Sequence, residues 1–493
     1  MPTHSHSLFN RFHQPTVAGI IALFVLIAKI SVTADDPIEI GNRRELFVDH
    51  FLTDHADGVR LQLKEPVDRG SVLAFDAPWE GRFSAYVTVL KDTDRMRLYY
   101  RGIPEAGQDG NVSEVTCYAE SPDGIHWTKP DLGIHEIHGT KHNNVILANA
   151  APVTHNFCPF IDTNPATDSE HRYKALGGIA SSGLFAYVSP DGIHWKRAHD
   201  TPVFKPSGWA LDSQNVAFWS ALENSYVLHY RASVNGVRAI AKTTSPDFLH
   251  WTKPTQMTYS DTQSTQPSHH LYTNQTHPYF RAPHIYFATA ARFIPNRQVL
   301  TDAQAKAINV HPKYFRDTSD AVFMSTRGTR SYDRTFLGAL IKPGIGAANW
   351  VSRSNYPALN LVPTSPTEMS LFVNQNYGQP TAHLRRYSFR LDGVACLAAP
   401  YSGGRWTSKP IRFSGSTLSL NFATSAAGSL RIAIQSPAGN DIPGFSIQDQ
   451  PPVIGNEIDR QVEWKVPLAS LSGRPVRLQI ELKDAELYSF QFQ

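Results

Sequence analysis

Three acidic residues, Glu80, Asp212 and Glu368, each sit in a short polar cluster beside a strand-like apolar run. Two carboxyl groups facing each other across a sugar can break a glycosidic bond. One protonates the leaving oxygen, and the other attacks the anomeric carbon or activates water. The proton donor needs a raised pKa, which burial or a second carboxylate supplies. Five clusters have the required polarity: Trp79-Glu80-Gly81-Arg82, His155-Asn156, Asp212-Ser213-Gln214-Asn215, Asn274-Gln275-Thr276-His277 and Glu368-Met369-Ser370. Asp212 is the favoured member of a catalytic pair, being set among amides near Trp209 and Trp219. Glu80 and Glu368 compete for the second place, and nothing in the sequence orders the three into acid, nucleophile and pKa modulator. Trp79 or Trp209 offers a stacking face for a sugar ring. His155, Asn156, Gln214, Asn215, Asn274, Gln275, His277 and Gln375 offer donors and acceptors for its hydroxyls. Arg281 and Arg292 suit an anionic group such as a sulfate or uronate, with an ordinary ion pair as the alternative.

Residues so far apart need a fold that gathers them, and an internal repeat points to one. Ser121-Pro122-Asp123-Gly124-Ile125-His126-Trp127 recurs unchanged at residues 189–195 and, drifted, as Ser245-Pro246-Asp247-Phe248-Leu249-His250-Trp251. A fainter copy starts at Ser325. Each follows a strand-like run, as in Val115-Thr116-Cys117-Tyr118-Ala119, and reads as a hairpin turn. Ser and Asp side chains bond the turn's amides, Gly supplies positive φ, and Trp packs beneath. Two further strands precede each turn, giving about four strands per unit and about five units between residues 37 and 399. Small antiparallel sheets of this kind bury their faces by radial stacking, so the expected architecture is all-β: a five-bladed β-propeller. From residue 400 to 493 the pattern changes to alternating strands separated by Gly, Ser, Asn and Pro, which predicts a β-sandwich. In a propeller the starts of the innermost strands meet around one axis, and the five polar clusters are expected there. Asp302 to Ile308 predicts a short helix in blade four, and Asp49 reads as an anchor of the N-terminal strand.

Blade order and Ser-x-Asp-x-x-x-Trp turns resemble the five-bladed propeller glycoside hydrolases of the invertase, levanase and arabinanase type. The resemblance implies a glycoside hydrolase acting on a plant or algal poly- or oligosaccharide. It covers most of the chain but departs at the reacting residues. Where invertase-type enzymes carry Trp-Met-Asn-Asp-Pro, this chain has Ala77-Pro78-Trp79-Glu80-Gly81; where they carry Arg-Asp-Pro, it has His155-Asn156-Phe157-Cys158-Pro159; and where they carry Glu-Cys, it has Leu211-Asp212-Ser213-Gln214-Asn215. The invertase triad is therefore not carried over. A non-catalytic carbohydrate-binding propeller and a glycoside phosphorylase of the same fold are the alternatives.

Composition narrows the partners. The 493-residue chain has a net charge of only +3 and no block of like charges, which argues against a nucleic-acid footprint. Aromatic residues make up 11% of it, a plentiful supply for stacking. Val17 to Val32 is apolar but for Lys29 and exits through Val32-Thr33-Ala34, so residues 1–34 read as a cleaved signal peptide. The expected product is secreted or periplasmic and free of the membrane after cleavage. Cys117, Cys158 and Cys396 are too widely spaced for a disulfide framework, and the histidines show no metal pattern. No cofactor and no metal are expected.

Overall fold

The computed structural model describes residues 36–493, apart from 106 and 108. The expected signal peptide lies outside the described residues. Residues 37–493 form one compact unit, almost entirely β, and among the described residues no helix is long and apolar enough to cross a membrane.

Five antiparallel sheets form the blades. Blade 1 runs Ala85–Lys91, Met96–Gly102, Val115–Ser121 and Val145–Leu147 from inside outward. Blade 2 uses Cys158–Ile161, Tyr173–Gly177, Phe185–Ser189 and Lys196–Arg197. Blade 3 uses Val216–Ser220, Ser225–Val234, Val237–Ser245 and Thr255–Gln256. Blade 4 uses His270–Tyr279, Ala282–Ile294, Thr318–Thr326 and Ala339–Ile341. Blade 5 begins with two short inner pieces, Tyr356–Pro357 and Val362–Pro363, both paired with Glu368–Gln375. His383–Arg390 follows, and Val67–Ala74, from the other end of the chain, is the outermost strand. The expected helix is present at Asp302–Ala307, opened by a Thr301–Gln304 capping box.

The repeated turns behave as their residues dictate. The Ser121 hydroxyl accepts the Gly124 N–H at 2.8 Å, and Asp123 accepts those of Ile125 and His126 at 2.8 and 2.9 Å. Gly124 and Gly192 have φ of 75° and 74°, and Phe248, in the drifted copy, keeps 72°. Each tryptophan wedges toward the preceding blade. Trp127 meets Phe372 of blade 5 at 5.7 Å, Trp195 meets Tyr99 of blade 1 at 6.3 Å, and Trp251 meets Phe204, ahead of blade 3, at 6.4 Å. The turn motif is therefore the device that stacks blades, which accounts for its repetition.

The inner strands of blades 1 and 5 lie parallel, joined by Val89 N–H to Leu359 O at 3.1 Å and Leu359 N–H to Val87 O at 2.8 Å. Amides fill the axis between the blades. Gln214 donates to Thr88 Oγ1 at 3.0 Å, and Gln275 donates to Gln214 Oε1 at 2.5 Å and to Pro357 O at 3.0 Å. Buried amides demand such partners, so these two glutamines tie blades 1, 3, 4 and 5 together.

The C-terminal strands form a ten-stranded sheet that also takes in the first four strands of the described chain. Ile38–Gly41 pairs in parallel with Ile411–Phe413, and Arg60–Leu63 pairs with Ala395–Ala399. Its apolar core, including Trp406, Leu420, Ile432, Leu478 and Phe492, is separate from those of the blades. Asp49 is fixed by Arg327 of the fourth turn at 2.8 Å, which pins the N-terminal segment to blade 4.

Candidate active site

The starts of the inner strands meet at one end of the axis, and the residues there are Phe83–Tyr86, His155–Asn156, Leu211–Ser213, Tyr272–Thr273 and Arg353–Tyr356. Asp212 stands among them, its carboxylate bonded to the Arg231 guanidinium. Beside it, His155 is fully buried with Nδ1 2.9 Å from Glu114 Oε1 and 3.3 Å from Arg101 Nη1. One oxygen each of Asp109 and Asp212 and one ring nitrogen of His155 lie within 4.8 Å of one another. Tyr86 packs edge-on to His155 at 5.5 Å under the Arg101 guanidinium, and Tyr272 meets Tyr356 at 5.4 Å. The mouth thus holds the carboxylates Asp109, Glu114 and Asp212, the arginines Arg101, Arg231, Arg238 and Arg353, and a wall of tyrosines.

Its backbone is unusual. Tyr86, Leu211, Arg353 and Asn355 all have φ between 56° and 65°, a region that costs a non-glycine residue about 1–2 kcal/mol. Strain of this kind persists where the surroundings over-determine it, and here every instance precedes or opens an inner strand. Several buried polar atoms also make no hydrogen bond among the described residues: Asp212 Oδ1, His155 Nε2, Glu114 Oε2, Arg231 Nη1 and the Tyr356 hydroxyl. Satisfied partners are the rule for buried polar groups, and exceptions concentrated at a channel mouth mark a ligand site.

Burial pushes the Asp212 carboxyl up, but the charge and hydrogen bond of Arg231, with His155 and Arg353 nearby, outweigh it and hold the group below the usual aspartate range. Asp212 is therefore an anion near neutral pH and not a proton donor, an order among the acids that the sequence left open. The Asp109–His155–Asp212 spacing is wide enough for a cation. Arg231 on Asp212 and Arg101 beside His155 already supply positive charge there, so the electrostatics favour an anion over a metal ion.

The other sequence candidates divide by depth. Asn156 lies at the mouth, donating to the carbonyls of Gly178, Leu211 and Ser213 and accepting the Gly178 N–H. Asn215 braces the same loop through Leu211 O and Ser213 O. Gln375 is buried under the mouth, bonded to Asn355 and Tyr387. Gln214 and Gln275 plug the axis. Asn274 is spent on Thr276 and Tyr332, and His277 bonds the Leu361 N–H and Gln275 O, joining blade 4 to blade 5. These groups bond chiefly to the protein itself, with Asn215 Oδ1 and Gln275 Oε1 left without a hydrogen bond among the described residues.

Glu80 and Glu368 are not brought to Asp212. Glu80 is fully buried, bonded to the Tyr100 hydroxyl, Lys129 Nζ and the Ala77 N–H. Trp79 beside it packs on blade 1 and donates to Asn144. Glu368 sits at the far end of its strand, opposite Arg390, where it pairs with Arg386 and Arg69, whereas Gln375 lies at the mouth end. Arg281 is paired with Asp392 and Asp459, and Arg292 holds Asp320 through two bonds. Both arginines are thus ordinary ion pairs.

Tyr86, Arg101, Asp109, Glu114, Arg231, Arg238, Tyr272 and Arg353 were not anticipated. One trace of them was present in the sequence. Tyr100-Arg101 and Tyr230-Arg231 repeat the same Tyr-Arg pair late in the second strands of blades 1 and 3.

No family model and no curated protein matches the chain. Similar solved structures include a fructofuranosidase from Schwanniomyces occidentalis complexed with fructosylnystose, at 12% identity and TM-score 0.39, covering 86% of this chain and 96% of that one. An N-acetylgalactosamine deacetylase from F. plautii is 13% identical with TM-score 0.43, covering 67% and 96%. A β-1,2-mannobiose phosphorylase from Listeria innocua is 9% identical with TM-score 0.41, covering 66% and 95%. Likeness this distant fixes no chemistry, and the site is read from its own geometry.

Proposed function

We propose that the chain is a glycoside hydrolase that cleaves a plant or algal poly- or oligosaccharide at the channel mouth, working outside the cytoplasm once residues 1–34 are removed. The observation that carries this reading is the approach of the Asp109 and Asp212 carboxylates to within 4.8 Å around His155. A gap of about 5 Å is the spacing used by retaining glycosidases. Asp212, held ionised and with Oδ1 unbonded among the described residues, is the nucleophile. Asp109, exposed at the rim, is the proton donor.

In the first step Asp212 bonds to the anomeric carbon while the glycosidic C–O bond breaks, and its electron pair leaves with the oxygen, which takes the Asp109 proton. Water then attacks the same carbon, returns a proton to Asp109 and releases the Asp212 carboxylate. Glu114 and Arg101 hold the His155 ring, and Asn156 fixes the Asp212 loop.

Assay of the purified protein against a polysaccharide panel tests the reading. Asp212→Asn is expected to cost at least about a hundredfold in turnover, the usual scale for a lost acid–base or nucleophilic group. Added azide should restore turnover in this variant as a glycosyl azide. Near-normal turnover by Asp212→Asn, or turnover that depends on inorganic phosphate, would overturn the assignment.

A further inference from the structure

Three arginines of the mouth gather around one ring. The guanidinium carbons of Arg231, Arg238 and Arg353 lie 5.0, 4.7 and 5.6 Å from the centroid of Tyr272. Arg231 and Arg238 also lie over Trp209, at 5.1 and 4.9 Å. Arg353 donates to the hydroxyls of Tyr272 at 3.0 Å and Tyr314 at 3.2 Å. Only Arg231 meets a carboxylate, that of Asp212. Among the described residues Arg238 and Arg353 form no ion pair. The Arg238 side chain makes a hydrogen-bond contact with His270 Nδ1, at 3.4 Å.

A guanidinium stays charged at every working pH, so placing three together out of water is costly unless counter-charge arrives. Aromatic faces offset part of this, and Asp212 neutralises one of the three. Burial and the neighbouring Arg231 hold Arg238 below the ordinary arginine range, whereas against the same burial Asp212 holds Arg231, and the surrounding tyrosines hold Arg353, above it. Donors are also left over. Arg231 Nη1, on a residue 3% exposed, and Arg238 Nε make no hydrogen bond among the described residues. Guanidinium forks match carboxylate and sulfate oxygens bidentately, and Trp209, 47% exposed, leaves a ring face beside them for a sugar.

On the reading of this mouth as a glycosidase site, we propose that its substrate carries an anionic substituent, a uronate carboxylate or a sulfate ester, bound by Arg231, Arg238 and Arg353 next to Asp212. The positive cluster offsets the repulsion that Asp212 would otherwise exert on such a sugar. A neutral glycan would leave Arg238 and Arg353 without a counter-charge among the described residues.

Calorimetric titration of the full chain with tetragalacturonate, a sulfated carrageenan tetrasaccharide, neutral galactotetraose and inorganic phosphate tests this. At low salt one of the two charged tetrasaccharides is expected to bind at least ~10-fold more tightly than the neutral one, a preference that added salt reduces. Which of them it is tells carboxylate from sulfate. Arg238→Gln should abolish the preference, and Arg353→Gln serves if circular dichroism shows that Arg238→Gln does not fold. Equal binding of charged and neutral probes, or a preference that survives in the folded variants, would overturn the proposal. So would phosphate that binds through these arginines and is required for turnover, because the oxyanion would then be a co-substrate. Arginine-dependent binding without cleavage of any glycan would leave this proposal standing and sink the hydrolase reading. Cleavage of neutral glycans with no charge preference would do the reverse.

Discussion

Asn156 of blade 2 grips the backbone on both sides of Asp212 in blade 3, donating to Leu211 O at 2.9 Å and to Ser213 O at 2.7 Å. A residue from one blade thereby sets the aim of the carboxylate in the next. Leu211 takes φ of 64° to make the bend, so the loop's conformation is imposed from outside. Asn156→Ala is expected to lower kcat about 10- to 100-fold, the scale of a roughly 1 Å misplacement, while KM changes far less. Steady-state kinetics beside a melting curve check this. A parallel loss of fold and activity would reduce Asn156 to a structural residue.

Arg231 governs the charge on Asp212. Desolvation raises that carboxyl and Arg231 more than reverses it, so the acidic limb of kcat/KM should fall below the ordinary aspartate value of 3.8. In Arg231→Gln burial is left less opposed, and the limb should move to higher pH. A pH–rate profile of the two proteins decides it, and an unmoved limb would count against Asp212 as the ionised group.

Removal of divalent cations should have no effect. Arginines already occupy the positive positions around Asp212 and His155, so dialysis against a chelator is expected to leave turnover within about twofold, unlike a site whose ligands hold a metal. Loss of activity restored by a divalent ion would instead make Asp109, His155 and Asp212 ligands.

His277 gives the fold a pH dependence. Burial lowers its pKa to about 4 from 6.5, so the folded state holds the neutral ring while the unfolded chain takes up a proton below 6.5. Its contribution is complete above 6.5 and is lost as pH falls from there through about 4. The depression corresponds to about 3 kcal/mol. Urea unfolding across this range should show the slope, and His277→Gln should flatten it.

Gly192 marks the contact between the turn of blade 2 and blade 1. Its φ is 74°, and an added Cβ would stand 2.6 Å from the Tyr99 hydroxyl, which donates to Gly192 O at 3.0 Å. Gly192→Ala is expected to cost about 2 kcal/mol or more, from the left-handed backbone and the clash together. Thermal unfolding measures it.

These residues show why the fold was easier to read than the site. The Ser-x-Asp-Gly turns announce themselves because their chemistry is local, each side chain bonding backbone two or three residues away. Asp212 and His155 were legible because they open inner strands of ordinary pattern. Blade 5 misled. Its inner strand is cut into two-residue pieces around Pro357 and Pro363 and preceded by the left-handed Arg353 and Asn355. The cleaner strand Glu368–Gln375 was therefore taken as innermost, and Arg353 was passed over. Blade 4 misled in a smaller way: its inner strand starts at His270, so Tyr272, ahead of Asn274, is at the mouth. Glu80 was misjudged because its partner Lys129 is 49 residues away, a pairing no local pattern reveals.

Blade 5 joins Val67–Ala74 to His383–Arg390, and the C-terminal sheet joins Ile38–Gly41 to Ile411–Phe413. Both closures pair the beginning of the chain with its end. Blades 1 to 4 are assembled from neighbours in sequence and can form in order as a growing chain emerges, but the ring has no last wall until residue 390 exists. Loop-closure entropy over such a span makes this the slow event of folding. Until it happens the sides of blades 1 and 4 that face blade 5 stay uncovered, and a cut that detached the first forty described residues would unlatch the ring and the C-terminal sheet in one stroke.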